Sequence, residues 1–280
     1  FHPNMCSGGI ATFGFPVVNL ARVRQSARLV FVLLRGGFDG LAAVVPYGDP
    51  AYRSLRGAFA YEEAALAPLD DLFGLAPGLA PLRAFWDSDE LVVLHAMAIP
   101  HRTRSHFDGQ AILETGLDRP AGSSDGWLNR LLQAMSGQRS GIAIAAGMPR
   151  SLTGPFEVQT WSPTQLGVVD DAYLERLATL YRADPALHGR FEAAMQQQSL
   201  VGEEPMAGGN ARRGGITPLM QATARILRQD NGPNIAAVEF GGWDTHANQG
   251  MAGGALERLL GQLAEGLVAF RTGMGDAWEN

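Results

Sequence analysis

Four short apolar runs, each ending in glycines or a polar cluster, alternate along the chain with stretches of helical periodicity. RLVFVLLRGG (28–37), ELVVLHAMA (90–98), GIAIAAG (141–147) and NIAAVEFGG (234–242) are those runs. Near-continuous apolar strings of this length read as strands buried on both faces, as in a parallel sheet. Between them, 77–89 places Leu79, Leu82, Phe85 and Trp86 at helical spacing. The stretch 105–116 reads as a short helix stopped by Gly116, and 124–135 as an amphipathic helix capped by Ser124 or Asp125. Further helices are expected over 170–182, 184–200, 217–229 (with Pro218 in the first turn) and 255–271. The stretch 46–73 is loop-like with one short helix at most, and VGEEPMAGGNARRGG (201–215) reads as a mobile loop. Strands alternating with amphipathic helices predict an α/β protein with a mostly parallel sheet, organised as one domain from 28 to 280.

Composition bounds the function. A length of 280 residues with 46% apolar content supports a sizeable core. The net charge of −6 and pI near 5.5 argue against a nucleic-acid partner, which would need a basic stripe. The chain holds no uninterrupted apolar run of membrane-spanning length. All 22 basic residues are arginine, which excludes a Walker P-loop and a Schiff-base lysine within this stretch. The single cysteine, Cys6, allows neither an internal disulfide nor a thiolate metal cluster. The chain starts at Phe1 and stops just after a helical pattern, so it reads as a piece of a longer protein. Residues 1–27, small and apolar from Met5 onward, read as the tail of an export signal or as an N-terminal arm.

Open α/β sheets bind ligands beyond the carboxyl ends of their strands. Three of the expected strands end in chemistry there: RGGFDGL with Arg35 and Asp39; HAMAIPHRTRSHFDGQ with His101, Arg102, Thr103, Arg104, Ser105, His106 and Asp108; and GGWDTHANQ with Asp244 and His246. Asp and His are oxygen and nitrogen ligands for a Zn- or Mn-type ion. Arginines clamp anions, and a serine opening a helix sits where an anion is favoured. A neighbouring ion would activate that serine as a nucleophile. Each element also has a plain structural reading: Asp39 as a turn former, Ser105 as a helix cap, Arg102 and Arg104 as solvated surface, and His95 as a satisfied core histidine. The chain has neither a GxGxxG dinucleotide loop nor a GxSxG elbow.

LVFVLLRGGFDGLAAVVPYGDPAY, FGLAPGLAPL, LVVLHAMAIPHRTRSHFDGQAILETG, GWLNRLL and AVEFGGWDTHANQG, in this order, resemble the bacterial family called "domain of unknown function 1501", grouped with the alkaline phosphatase/sulfatase superfamily. The resemblance covers the chain from about Arg28 onward. It implies an alkaline-phosphatase-like α/β/α sandwich, truncated here at its C-terminus, and a twin-arginine export signal with a periplasmic or extracellular location. It further implies metal ligation by Asp39, Asp244 and His246, with Zn or Mn expected and Ca as the alternative. Ser105 would be the nucleophile, with Thr103 as second choice. On the hydrolase reading, Arg104 and His106 steady the anion of a small phosphate or sulfate ester. The chain departs from the family pattern at Ala76, where members carry histidine, and in the close Asp244-Thr245-His246 spacing. The family's Glu-Phe-Gly-Arg and Asp-His-Gly-His stretches would follow Asn280. Two other readings compete: a non-catalytic exported binding protein with a degenerate metal site, and a component of an exported complex that uses 201–215 to contact a protein partner.

Overall fold

The computed structural model describes residues 27–99, 101–103, 105–120, 124–135, 140–162, 171–201, 215–246, 249–250 and 253–279. The expected export-signal tail and almost all of the 201–215 loop lie outside the described residues. Among the described residues seven strands run in chain order: β1 Leu29–Leu34, β2 Val44–Val45, β3 Ala67–Pro68, β4 Gly74–Leu75, β5 Gly141–Ile144, β6 Gln159–Trp161 and β7 Ile235–Phe240. The helices are α1 Gly40–Ala43, α2 Tyr52–Arg56, α3 Arg83–Asp87, α4 His106–Thr115, α5 Trp127–Ala134, α6 Asp171–Tyr181, α7 Pro185–Val201, α8 Thr217–Leu227 and α9 Ala255–Met274. A 3-10 turn over Pro77–Leu82 leads into α3.

The main sheet has the order β1-β7-β5-β6 and every pairing is parallel. The fold is therefore α/β with a parallel sheet. Alternation along each strand divides its side chains between two faces. Val30, Val32, Leu34, Ile142, Ile144, Ala236, Val238 and Phe240 meet α8 and α9 through Met220, Leu227, Leu256 and Leu260. Leu29, Phe31, Ala143, Ile235 and Ala237 face α5 through Leu128 and Leu132. Helices cover both sides. A second, small antiparallel sheet, β2-β4-β3, packs beside this body.

Three of the four expected strands are present, but 90–98 is not one of them. Residues 90–99 form no strand: Leu91 and Val93 rest on the core while Val92, Leu94 and Met97 are 58%, 45% and 50% exposed. Ala96 takes a left-handed φ of 56°, which interrupts any extended ladder. The fourth strand is β6 instead, whose QTW sequence carries almost no apolar signal. The cap of α5 also differs from expectation. Gly126 occupies it with no side-chain cap bond, because a Cβ there would lie 2.0 Å from the Ser151 carbonyl oxygen. Helix α4 follows its expectation closely: Ser105 caps it by accepting from the Asp108 N–H, and Gly116 closes it in the left-handed conformation.

Candidate functional site

Strands β1 and β7 are parallel neighbours, so the loops leaving their carboxyl ends run side by side. The Arg35 N–H donates to the Phe240 carbonyl at 2.9 Å, and the Trp243 N–H to the Arg35 carbonyl at 3.2 Å. That approach requires Gly36: its φ is 133°, and a Cβ would lie 2.3 Å from the Asp244 nitrogen. Trp243 is fully buried and meets Phe38 and Phe240 edge-on at 5.1 and 5.2 Å. The Gly-Gly ending of the fourth apolar run therefore lets the chain turn, sinks Trp243 as an anchor and leaves Asp244 at the rim.

The Asp39 carboxylate caps the short helix α1 through the Ala42 N–H. Its Oδ2 accepts from Arg56 Nη2 at 2.7 Å and from Gln249 Nε2 at 2.8 Å. Burial alone would raise the carboxyl pKa, but the Arg56 and Gln249 hydrogen bonds and the Arg56 charge outweigh it and hold the group below its ordinary value. Sequence reasoning missed both partners. They lie 17 and 210 residues away, and no local pattern marks Arg56. A cavity of about 230 Å³ adjoins them, lined by Arg56, Phe59, Tyr61, Gln249 and Leu256. In it, burial together with the Glu257, Tyr52 and Asp39 charges pushes the Tyr61 hydroxyl up to about 12.

On the α4 side, His106 Nε2 lies 3.4 Å from Asp244 Oδ2, and His246 Nε2 lies 2.9 Å from Asp244 Oδ1. One carboxylate thus meets two imidazoles, one two residues away and one 138 residues away in the chain. His246 takes a left-handed φ of 43°, and its side chain is 75% exposed. Ser105 is adjacent to His106 in the chain, but its Oγ is engaged as the cap of α4. Arg104 lies outside the described residues.

The segment before α4 holds a second polar cluster. Thr103 Oγ1 is 2.7 Å from His101 Nε2, and Asp108 Oδ2 is 3.3 Å from that same nitrogen and 3.4 Å from the hydroxyl. A third group is structural. Arg35 bonds Glu239, Glu114 at 3.0 Å and Gln110 at 3.1 Å, clipping β1 to β7 and α4. Glu114 is 4% exposed, so Arg35 neutralises a buried charge. His95 differs from its sequence reading: it stacks on Phe73 at 4.2 Å, but its buried Nε2 has no hydrogen-bond partner among the described residues.

Among the described residues, no group of three or more His, Cys, Asp and Glu side chains is arranged to hold an ion. Asp244 and His246 present an oxygen and a nitrogen of the type that suits two positions around Zn or Mn. Asp39, the third expected ligand, has its Oδ2 hydrogen-bonded to Arg56 and Gln249 in this arrangement. Comparison with protein-family models, curated proteins and solved structures returns no match.

Proposed function

We propose that the rim where the β1, β7 and pre-α4 loops meet binds and hydrolyses a small phosphate or sulfate ester, on an alkaline-phosphatase-like scaffold exported to the cell envelope. The motif resemblance described above motivates the scaffold, the export and the substrate class. The observation that carries the site is the His106–Asp244 contact at 3.4 Å, which ties the start of α4 to the loop after β7. It sets Ser105 next in sequence to a residue that touches the candidate ligand pair.

In this reading Asp244 and His246 hold a divalent ion, which supplies Lewis acidity that favours the ionised form of a nearby hydroxyl. Ser105 attacks the ester from the N-cap of α4. Arg104 and His106 bind the ester's non-bridging oxygens, and Asp244 orients His106 for that contact. Asp39, fixed by Arg56 and Gln249, holds the β1 loop against the β7 loop.

Ser105→Ala in the full chain, assayed on p-nitrophenyl phosphate and p-nitrophenyl sulfate with added Zn or Mn, should lose at least about a thousandfold in turnover. Its bound metal, measured by elemental analysis, should stay near the wild-type amount. Wild-type turnover in the variant would remove Ser105 from the mechanism.

A second reading, an exported binding protein with a degenerate site, draws support from the same geometry, since Asp39 is already neutralised and a third ligand is absent among the described residues. Elemental analysis separates the two. Near-stoichiometric transition metal favours the hydrolase; Ca alone, or no metal, favours the binding protein.

A further inference from the structure

We infer that Thr103 and His101 form a nucleophile–base pair that cleaves neutral carboxylic esters without a metal, separately from the phosphate- or sulfate-ester reading of the Asp244 rim. The chemistry needs a hydroxyl in hydrogen-bond contact with a base and a third group that steadies the base. Thr103 Oγ1 and His101 Nε2 meet that distance at 2.7 Å, and Asp108 Oδ2 stands 3.3 Å from the same nitrogen. A carboxylate has no hydrogen to give. With the imidazole hydrogen on Nδ1, the Thr103 hydroxyl is the donor and Nε2 the acceptor.

Among the described residues Ser105 has no such base: its Oγ accepts the Asp108 N–H and caps α4. Asp108 is itself placed by that cap, in the first turn of α4. The arrangement is not a linear relay, because the carboxylate and the hydroxyl share one imidazole nitrogen. Asp108 therefore acts after the first proton moves, by accepting a hydrogen bond from the newly formed Nε2–H.

The step balances within these groups. Thr103 Oγ1 adds to the ester carbonyl carbon while its proton passes to His101 Nε2. The tetrahedral adduct collapses, the C–O bond to the alcohol breaks, and the alcohol leaves with that proton. Water, deprotonated by the same nitrogen, then attacks the acyl-threonine; the acyl C–Oγ1 bond breaks, Thr103 Oγ1 takes that proton back from Nε2, and the acid is released. The Asp108 charge selects the substrate class. Its oxygen is 3.4 Å from the attacking hydroxyl, so an approaching phosphate or sulfate anion is repelled there and an uncharged ester is not. Thr103 is exposed and the His101 side chain is 20% exposed, so a substrate can reach both.

The test uses the full chain with EDTA present and two probes: a fluorophosphonate, which labels activated hydroxyls with loss of fluoride, and p-nitrophenyl butyrate. Peptide mass spectrometry should find the phosphonyl adduct on Thr103. Thr103→Ala should abolish that adduct and the butyrate turnover, Thr103→Ser should retain both, and His101→Gln should lose roughly a hundredfold in turnover. Circular dichroism of each variant checks that the fold is intact. An adduct on Ser105 alone, no adduct at all, or wild-type turnover in Thr103→Ala overturns the inference. These outcomes leave the phosphate-ester reading to be judged on its own metal-dependent assay.

Discussion

Asp39 was legible in the sequence as a polar residue at the end of a strand, and so were Ser105, Asp244 and His246. Its partners were not. Arg56 and Gln249 reach its carboxylate only because the chain folds, and no periodicity encodes that meeting. The pairing has a consequence for acid stability. The Asp39 carboxyl lies below its ordinary value of 3.8 in the folded state, so the folded protein binds its proton less readily than the unfolded chain does. The stabilisation is present in full above that ordinary value and is lost as the pH falls through the lower folded-state value. Urea midpoints measured from about pH 5 down to about pH 3 should drop for the wild type and drop less steeply for Asp39→Asn. Parallel slopes for the two proteins would show that Asp39 does not contribute.

At the scale of elements, the approach of the β1 loop to the β7 loop depends on one missing side chain. Gly36→Ala places a methyl group 2.3 Å from the Asp244 nitrogen at a φ of 133°. Strain and overpacking together should cost roughly 2–5 kcal/mol in denaturant unfolding. The same change should raise KM for any ester bound at the rim, since Asp244 would have to move away from His106. Unchanged stability would mean that the two loops are not held together at this point. The strands β1, β5 and β7 were readable because each is packed on both faces and, apart from Glu239 in β7, its sequence is apolar. The same rule failed at 90–98. An apolar run fixes neither burial nor which backbone will pair with it: Val92 and Leu94 are exposed. β6 went unread for the opposite reason: it is three residues long, and its Gln159 and Thr160 are exposed. The helices fared better because 3.6-residue periodicity survives over ten or more positions, and Ser105 and Gly116 bracket α4 as local chemistry dictates.

For the molecule as a whole, the central fact is that β7 lies between β1 and β5, pairing with both. A chain truncated before Ile235 should therefore lose the sheet rather than one edge of it. Its thermal melt should show no cooperative transition, whereas the full chain should give one; a sharp melt from the truncated chain would place the core elsewhere. The order of synthesis adds a further constraint. Leu29 pairs with Ile235, so the first strand leaves the ribosome long before its partner exists. At ordinary elongation rates the wait is about 10–40 s for some two hundred residues. Throughout that interval LVFVLL lacks its partner strand, and an exposed, uncharged hexapeptide of such high β-propensity is an aggregation hazard. A cell that makes this protein must shield that segment until Ile235–Phe240 has been synthesised.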